Sequence, residues 1–480
     1  MLYEEYLDLT IYQMLERMEN RFQEKLLFFY KEDGIIKEVS YRQFFGEVRK
    51  IAGYFSEKVQ KGSFIIIDSR NTYEQIAAMF AAASMGAVPV LVNFNLPDEE
   101  IESIIERVSP AMIVYDREDE ELIVKFRSLG TIPCLCCTEN KFGGSVREIL
   151  ASDRPLYQND SAIKPEDPAM ILMTSGSTSR SKLVVLPHYA FLPHSEVWTE
   201  KSIFVLPICH IAGLNILIND MARGTPVCLS SLKNGLRDME WFRPKDIFAV
   251  PAFVAQMVKK SKKGKMDISN FKNISSGGAP QNMDTVVYLN SLGIFTMSLY
   301  GATETAGMID YSTPETYRYG SVGKPGPWNA VRISEAGEIL VKGKNVMIEY
   351  LGDPEATKEA LVDGWYHTGD MGYIDDDGYL FITGRIKNII ILSNGENVSP
   401  EALESKLSHC EDIEEVVVSG HEDTITAHIW CGDDAGKEKM DRVRSFVSQY
   451  NRTVPTYYRI RKIEFRERPF EKTGSGKIKR

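Results

Sequence analysis

Long apolar runs, a surplus of basic residues and a paired cysteine framework are all missing from this chain, and each absence removes a class of function. The longest apolar run, Ile76 to Val92, is interrupted by Ser84, Gly86 and Pro89. It is too short and too broken to span a bilayer, so no membrane span is expected. The first residues, Met-Leu-Tyr-Glu-Glu-Tyr, lack a basic stretch followed by an apolar one, which gives no sign of a signal peptide. The seven cysteines, at 134, 136, 137, 209, 228, 410 and 431, are odd in number and irregular in spacing. Free thiols in a reducing, cytoplasmic compartment are the expectation. No Cys/His pair follows Cys134, Cys136 and Cys137 at finger spacing, so buried or surface thiols are expected there rather than a metal site. A net charge of −11 argues against a general nucleic-acid binder, which needs a basic face. The charge is uneven: the last 30 residues hold ten Lys or Arg against three Glu, leaving −18 on residues 1–450. A basic tail on an acidic body is either a solvated surface or a lobe that meets phosphates.

What is present is an ordinary globular composition, 43% hydrophobic and 26% charged, in 480 residues, enough for two or three domains. Short β-branched runs at Phe64–Asp68, Ala111–Tyr115, Ala169–Met173, Ile203–Leu206, Ile247–Val250 and Phe295–Leu299 read as buried strands. Amphipathic stretches such as Tyr41–Phe55 and Glu99–Arg107 lie between them. The alternation predicts an α/β fold with mainly parallel sheets, whose ligand sites lie in loops after the strands. From Gly337 the pattern shifts to short strands with glycine turns, including Asp375-Asp376-Asp377-Gly378 before Tyr379–Thr383. From Pro400 a helix, strands Glu415–Ser419 and Thr424–Trp430, a helix Met440–Tyr450 and a strand Lys462–Phe465 suggest a small α+β domain.

Two strands run directly into loops with ligand-binding chemistry. Ala169–Met173 leads into Thr174-Ser175-Gly176-Ser177-Thr178-Ser179-Arg180-Ser181-Lys182. Small side chains let backbone N–H groups approach phosphate oxygens, hydroxyls add donors and Lys182 adds a charge; a flexible surface loop has the same composition. It is not a Walker loop, which needs two glycines spaced before Lys-Ser/Thr. Phe295–Leu299 leads into Tyr300-Gly301-Ala302-Thr303-Glu304-Thr305, with a ring to stack on a base, a hydroxyl for phosphate and a carboxylate for Mg²⁺ held through phosphates. A strand end with a tight turn is the plainer alternative. Ser276-Gly277-Gly278-Ala279-Pro280 is a turn or a place where backbone approaches a flat ligand. Asp370 and Arg385 are fit to hold vicinal hydroxyls and equally fit to pair with each other.

In this order, with Trp365–Asp370, Gly384–Lys387 and the terminal Gly474–Lys477, these segments resemble the acyl-adenylate-forming, or AMP-binding, superfamily over about residues 40–480. Acyl- and aryl-CoA ligases such as o-succinylbenzoate–CoA ligases are the members most similar in style. The resemblance implies a large N-terminal domain at 1–385, a hinge and lid edge at 386–399, and a small C-terminal lid at 400–480. It implies that Thr174, Ser175, Gly176, Ser177, Thr178 and Lys182 hold the β- and γ-phosphates of ATP. Gly278, Ala279 and Tyr300 would flank adenine, Gly301 would belong to the ATP site, Thr303 would touch the α-phosphate, and Asp370 and Arg385 would bind the ribose. Glu304 would be the Mg²⁺ ligand, Lys387 the hinge residue, Gly395 the lid edge of the thiol step, and Lys477 the lysine bridging carboxylate and α-phosphate. Leu206–Gly213 resembles the Pro-x-x-His-x-x-Gly segment of aliphatic and aryl acid ligases, which puts His210 in the acyl pocket; a buried core histidine is the alternative.

The activity so implied is ATP-dependent activation of a small-molecule carboxylic acid, followed by thioester formation with CoA. The alternative acceptor is the phosphopantetheine of a separate carrier protein, since the chain stops three residues after Lys477. The chain departs from the family's phosphate loop at Ser179, Ser181 and Leu183, and Asn388 stands where an acidic residue usually follows the hinge. A seryl loop keeps its donors but stiffens the backbone, so weaker nucleotide affinity is expected, and loss of catalysis with retained nucleotide binding is a third reading.

Overall fold

The interrupted apolar run from Ile76 to Val92 becomes the centre of the molecule. Its first part is the helix Tyr73–Ser84, buried along its whole length and started by a capping box between Thr72 and Gln75. A helix apolar on all sides needs cover on all sides, and it packs against Tyr41–Ser56 and the strands Phe64–Asp68 and Val88–Val92. Gly86, at φ +77°, turns the chain directly into Val88–Val92, whose residues are all buried. The structure is a computed structural model that describes residues 2–480 apart from 69, 94–95, 117–122, 125–131, 139–143, 175–180, 194–199, 280, 394–395, 422, 434, 473–477 and 479–480.

Two seven-stranded sheets carry the large domain. One orders Ser298–Leu299, Asn273–Gly277, Asp246–Ala249, Ser202–Phe204, Val227–Leu229, Leu26–Glu32 and Ile35–Ser40, parallel throughout except for the final hairpin. The other orders Glu349–Tyr350, Leu183–Pro187, Pro168–Met173, Val88–Val92, Phe64–Asp68, Met112–Tyr115 and Cys134–Cys136, with its first two joins antiparallel and the rest parallel. The expected α/β class with mainly parallel sheets is what forms. The strand expected at Ala169–Met173 is there, but its return partner Leu183–Pro187 is antiparallel, so residues 174–182 join the two strands of a hairpin. Phe295–Leu299 forms regular strand only at Ser298–Leu299.

A third, antiparallel sheet follows: Asn329–Ile333, Glu338–Gly343, Trp365–Ile374 and Leu361–Val362, with Leu380–Arg385 also paired to Trp365–Ile374. The last unit is small and α+β. Glu415–His421 pairs antiparallel with Thr424–Trp430, which pairs parallel with Lys462–Phe465. The helices Pro400–Leu407 and Lys437–Thr453 cover it, and Leu403, Val418, Ile429 and Val443 share its core. It meets the large domain through an Asn282 Nδ2 to Ser408 carbonyl hydrogen bond of 2.8 Å and a Lys259–Glu414 ion pair. Cys136 and Cys137 are buried, and all seven cysteines are free thiols. Among the described residues no helix is long and apolar enough to cross a membrane.

His188 fastens the N-terminal helix Ile11–Phe22 to this frame. Its Nδ1 accepts the Ile11 N–H at 3.2 Å, and the ring is 2% exposed. Burial lowers its pKa from 6.5 to about 4. Between those values the unfolded chain binds a proton that the folded one refuses, so stability falls as pH drops through this window, by about 1.4 kcal/mol per unit. Urea unfolding between pH 6.5 and 5 should show this slope in the parent chain and a slope shallower by about that amount in His188→Gln, which keeps an acceptor for Ile11. Equal slopes would contradict it.

Candidate active site

Tyr300 leaves the end of the strand Ser298–Leu299, which runs beside Asn273–Gly277 in the register Ser276 to Ser298 and Gly277 to Leu299. Gly278 and Ala279 therefore emerge beside Tyr300, both exposed, with Gly278 at φ +81°. Two of the sequence-predicted segments thus meet at adjacent strand ends. Gly301 follows in a tight hairpin with Gly307–Met308. A Cβ at Gly301 would lie 1.8 Å from the Gly307 carbonyl oxygen, so only glycine fits. Beyond it Thr303–Thr305 forms a single 3-10 turn that buries Glu304. Thr305 Oγ1 caps this turn at the Ala302 N–H, and Asn345 Nδ2 holds the Thr305 carbonyl at 3.1 Å.

Asp370 and Arg385 stand opposite each other on neighbouring strands of the third sheet. The Arg385 Nε–H donates to Asp370 Oδ1 at 2.6 Å, and the Tyr300 hydroxyl donates to Asp370 Oδ2 at 2.8 Å. Burial, and then the Asp370 charge, raise the Tyr300 hydroxyl well above the ordinary tyrosine range, so it stays a donor. One carboxylate, 7% exposed, thereby fixes both the ring from the first sheet and the guanidinium from the third. Lys387, two residues after Arg385, is near enough to Arg385 and Lys182 that their charges, after partial burial, hold its ammonium below the usual lysine range.

Lys182 and Thr174 close the mouth of the hairpin, where the Thr174 N–H donates to the Lys182 carbonyl at 3.1 Å. The Lys182 Nζ sits 4.3 Å from the centre of the Tyr350 ring. The Tyr350 hydroxyl donates to Glu304 Oε1 at 2.7 Å and is itself bonded by Tyr366. Tyr350 is absent from the sequence expectations, and Tyr366 falls within the Trp365–Asp370 segment without an expected role there. Tyr350 lies on the two-residue strand Glu349–Tyr350 of the second sheet, far along the chain from Lys182 and Glu304, and no local pattern marks it. Ser181, one of the departures in the loop, is held by Glu100 and by Arg107, whose Nη1 donates to the Ser181 carbonyl at 3.0 Å.

Lys182, Glu304, Tyr300, Gly278, Asp370, Arg385 and Lys387 are thus gathered where the ends of three sheets meet. Ser175, Gly176, Ser177, Thr178, Gly395 and Lys477 lie outside the described residues. His210 is half-buried and immediately precedes the helix Ile211–Arg223. Its segment closes on itself through Gly213: a Cβ there would meet the Pro207 carbonyl at 2.6 Å.

The first 15–351 residue span matches the family model described as AMP-binding enzyme, and residues 387–480 match the AMP-binding enzyme C-terminal domain. The chain belongs to the AMP-binding enzyme family. Among curated members it is 28% identical over 457 residues to a long-chain-fatty-acid–CoA ligase, FadD15, of Mycobacterium bovis, covering 81% of this chain and 76% of that one. It is 28% identical over 472 residues to a feruloyl-CoA synthase of Amycolatopsis, covering 92% of each. Among solved structures, the anthranilate CoA ligase AuaEII with anthranoyl-AMP superposes with a TM-score of 0.89 at 20% identity, over 98% of this chain and 96% of that one. The o-succinylbenzoate CoA synthetase of Bacillus subtilis with its acyl-adenylate gives 0.80 at 22%, over 97% and 96%. These structural likenesses establish the shared fold.

Asp370→Asn keeps an acceptor for Tyr300 but removes the charge that orients Arg385. Charge-assisted hydrogen bonds contribute about 1.5–3 kcal/mol, so AMP affinity measured by titration calorimetry should fall roughly 10–100-fold. An unchanged affinity would separate this pair from nucleotide binding.

Proposed function

We propose that the chain activates a carboxylic acid with ATP, forming an acyl-adenylate and pyrophosphate, and then passes the acyl group to the thiol of CoA. The observation that carries this reading is the convergence of Lys182, Tyr300, Glu304, Asp370, Arg385 and Lys387 in a chain that matches both parts of the AMP-binding enzyme family. Relatives named as CoA ligases and synthases support CoA as the acceptor. The seven free thiols support a reducing, cytoplasmic setting.

Residue chemistry suits the first half-reaction. A carboxylate acylates poorly because its leaving group would be oxide. When one of its oxygens bonds to the α-phosphorus of ATP, the bond from that phosphorus to the bridging oxygen breaks and pyrophosphate departs. Two anions must meet, so cations and preorganised donors decide the rate. Thr174–Thr178 and Lys182 would grip the β- and γ-phosphates, Thr303 the α-phosphate, Gly278, Ala279 and Tyr300 the adenine, with Gly301 beside them in the ATP site, and the Asp370–Arg385 pair the ribose hydroxyls. Lys477 would bring an ammonium to the carboxylate and α-phosphate. Lys387 would mark the hinge between the large domain, 1–385, and the lid, 400–480. In the second half-reaction the thiol sulfur bonds to the acyl carbon, the bond from that carbon to the AMP oxygen breaks, and the thiol proton passes to solvent; Gly395 would lie on the lid edge serving this step.

Mg²⁺ fits this donor set at Glu304. The carboxylate is buried to 9% exposure, and among the described residues no group of three or more His, Cys, Asp or Glu converges to hold an ion unaided. An ion held by one carboxylate, phosphate oxygens and water is the usual magnesium arrangement. When bound, it would neutralise charge on the phosphates.

Acid-dependent pyrophosphate release followed by mass spectrometry of the thioester tests the reading. With an accepted acid, CoA should be acylated, and Lys477→Ala should lower the rate by about 10²–10³. Activation of the acid with transfer to a carrier protein's phosphopantetheine, and none to CoA, would overturn the choice of acceptor.

A further inference from the structure

Tyr350 stands where the three sheets that build the site meet. Its strand, Glu349–Tyr350, pairs antiparallel with Leu183–Pro187 in the register Tyr350 to Val184. Lys182 comes two residues before Val184, the diagonal position on the same face, which a long side chain can reach. The Lys182 Nζ accordingly lies 4.3 Å from the centre of the Tyr350 ring.

The approach to Tyr350 is bound to the turn that carries Glu304. Asn345 Nδ2 donates to the Thr305 carbonyl at 3.1 Å, and the Met347 N–H donates to the Glu304 carbonyl at 2.8 Å. Three residues further on, the Tyr350 hydroxyl donates to Glu304 Oε1 at 2.7 Å. From the third sheet, Tyr366 bonds the same hydroxyl. The Tyr350 N–H donates to Thr357 Oγ1 at 3.0 Å and the residue is 4% exposed, so ring and backbone are both fixed. A carboxylate held by one oxygen keeps the other for an ion. A ring face attracts an ammonium less strongly than a phosphate does, so a lysine seated there is released to an arriving polyphosphate.

We propose that Tyr350 is the positioning residue for the magnesium–triphosphate end of ATP: its hydroxyl aims Glu304 and its ring seats Lys182. The inference rests on the reading of Lys182 and Glu304 as the groups that meet the phosphates and Mg²⁺. It divides the nucleotide in two. AMP, which has neither β- nor γ-phosphate, depends on the Asp370–Arg385 pair and not on Tyr350, whereas Mg·ATP depends on both.

Titration calorimetry in the absence of any acid tests this, with AMP, with ATP in a chelator and with ATP in excess Mg²⁺. The parent chain should bind ATP more tightly with Mg²⁺ than without. Tyr350→Phe keeps the ring and loses the hydroxyl; it should weaken Mg·ATP by at least about fivefold while AMP and metal-free ATP change by less than about twofold. Glu304→Gln should lose the magnesium gain as well, and the double variant should lose no more than the larger single loss, because the hydroxyl acts through the carboxylate. Tyr350→Leu removes the seat of Lys182 too and should weaken metal-free ATP by about threefold. Equal losses for AMP and Mg·ATP in Tyr350→Phe would reduce the residue to a structural role and overturn the inference. Unchanged Mg·ATP affinity in that variant, or additive losses in the double variant, would also overturn it, with acid activation left standing. A parent chain that binds neither nucleotide, or gains nothing from Mg²⁺, would overturn the reading of the site and this inference with it.

Discussion

The Asp370 carboxylate is the joint on which the site depends. By accepting from Tyr300 and Arg385 together, it ties the end of the first parallel sheet to the antiparallel sheet that leads into residues 386–399. A buried carboxylate without partners would be costly; with a phenol on one oxygen and a guanidinium on the other, it becomes a fixed reference point. What the sheets contribute separately, a ring from one and a cation from the other, acquires a common geometry only through this group.

Around that joint lies a concentration of positive charge in a chain whose net charge is −11. Partial burial, and then the charges of Arg385 and Lys182 nearby, hold Lys387 below the usual lysine range. Cations so gathered repel one another, and anions relieve the repulsion. Lys182 rests over the Tyr350 ring, which in turn holds Glu304, so the same tyrosine links a cation and the carboxylate suited to a magnesium ion. Ser181, one of the departures in the loop, is held in place by Glu100 and Arg107.

Much of this was legible in the chain because it is local. Phe64–Asp68 and the strands that lead to Thr174 and Tyr300 could be placed because buried strands read as short apolar, β-branched runs. The order of the motifs then carried the family resemblance. The hairpin return at Leu183–Pro187 was not legible, since alternation alone does not separate a parallel from an antiparallel neighbour. Tyr350 was not legible for a different reason. Its contacts are with Lys182 and Glu304, far along the chain, and a two-residue strand such as Glu349–Tyr350 has no periodicity to read.

The central claim is that the gathered cations and the Asp370 joint make a carboxylate reactive through ATP. Exchange of labelled pyrophosphate into ATP, run without any thiol, measures that step alone. Incorporation that requires an added carboxylic acid is the predicted result. A folded sample that binds ATP yet exchanges no label with any acid across aryl, short-chain and long-chain panels would contradict it.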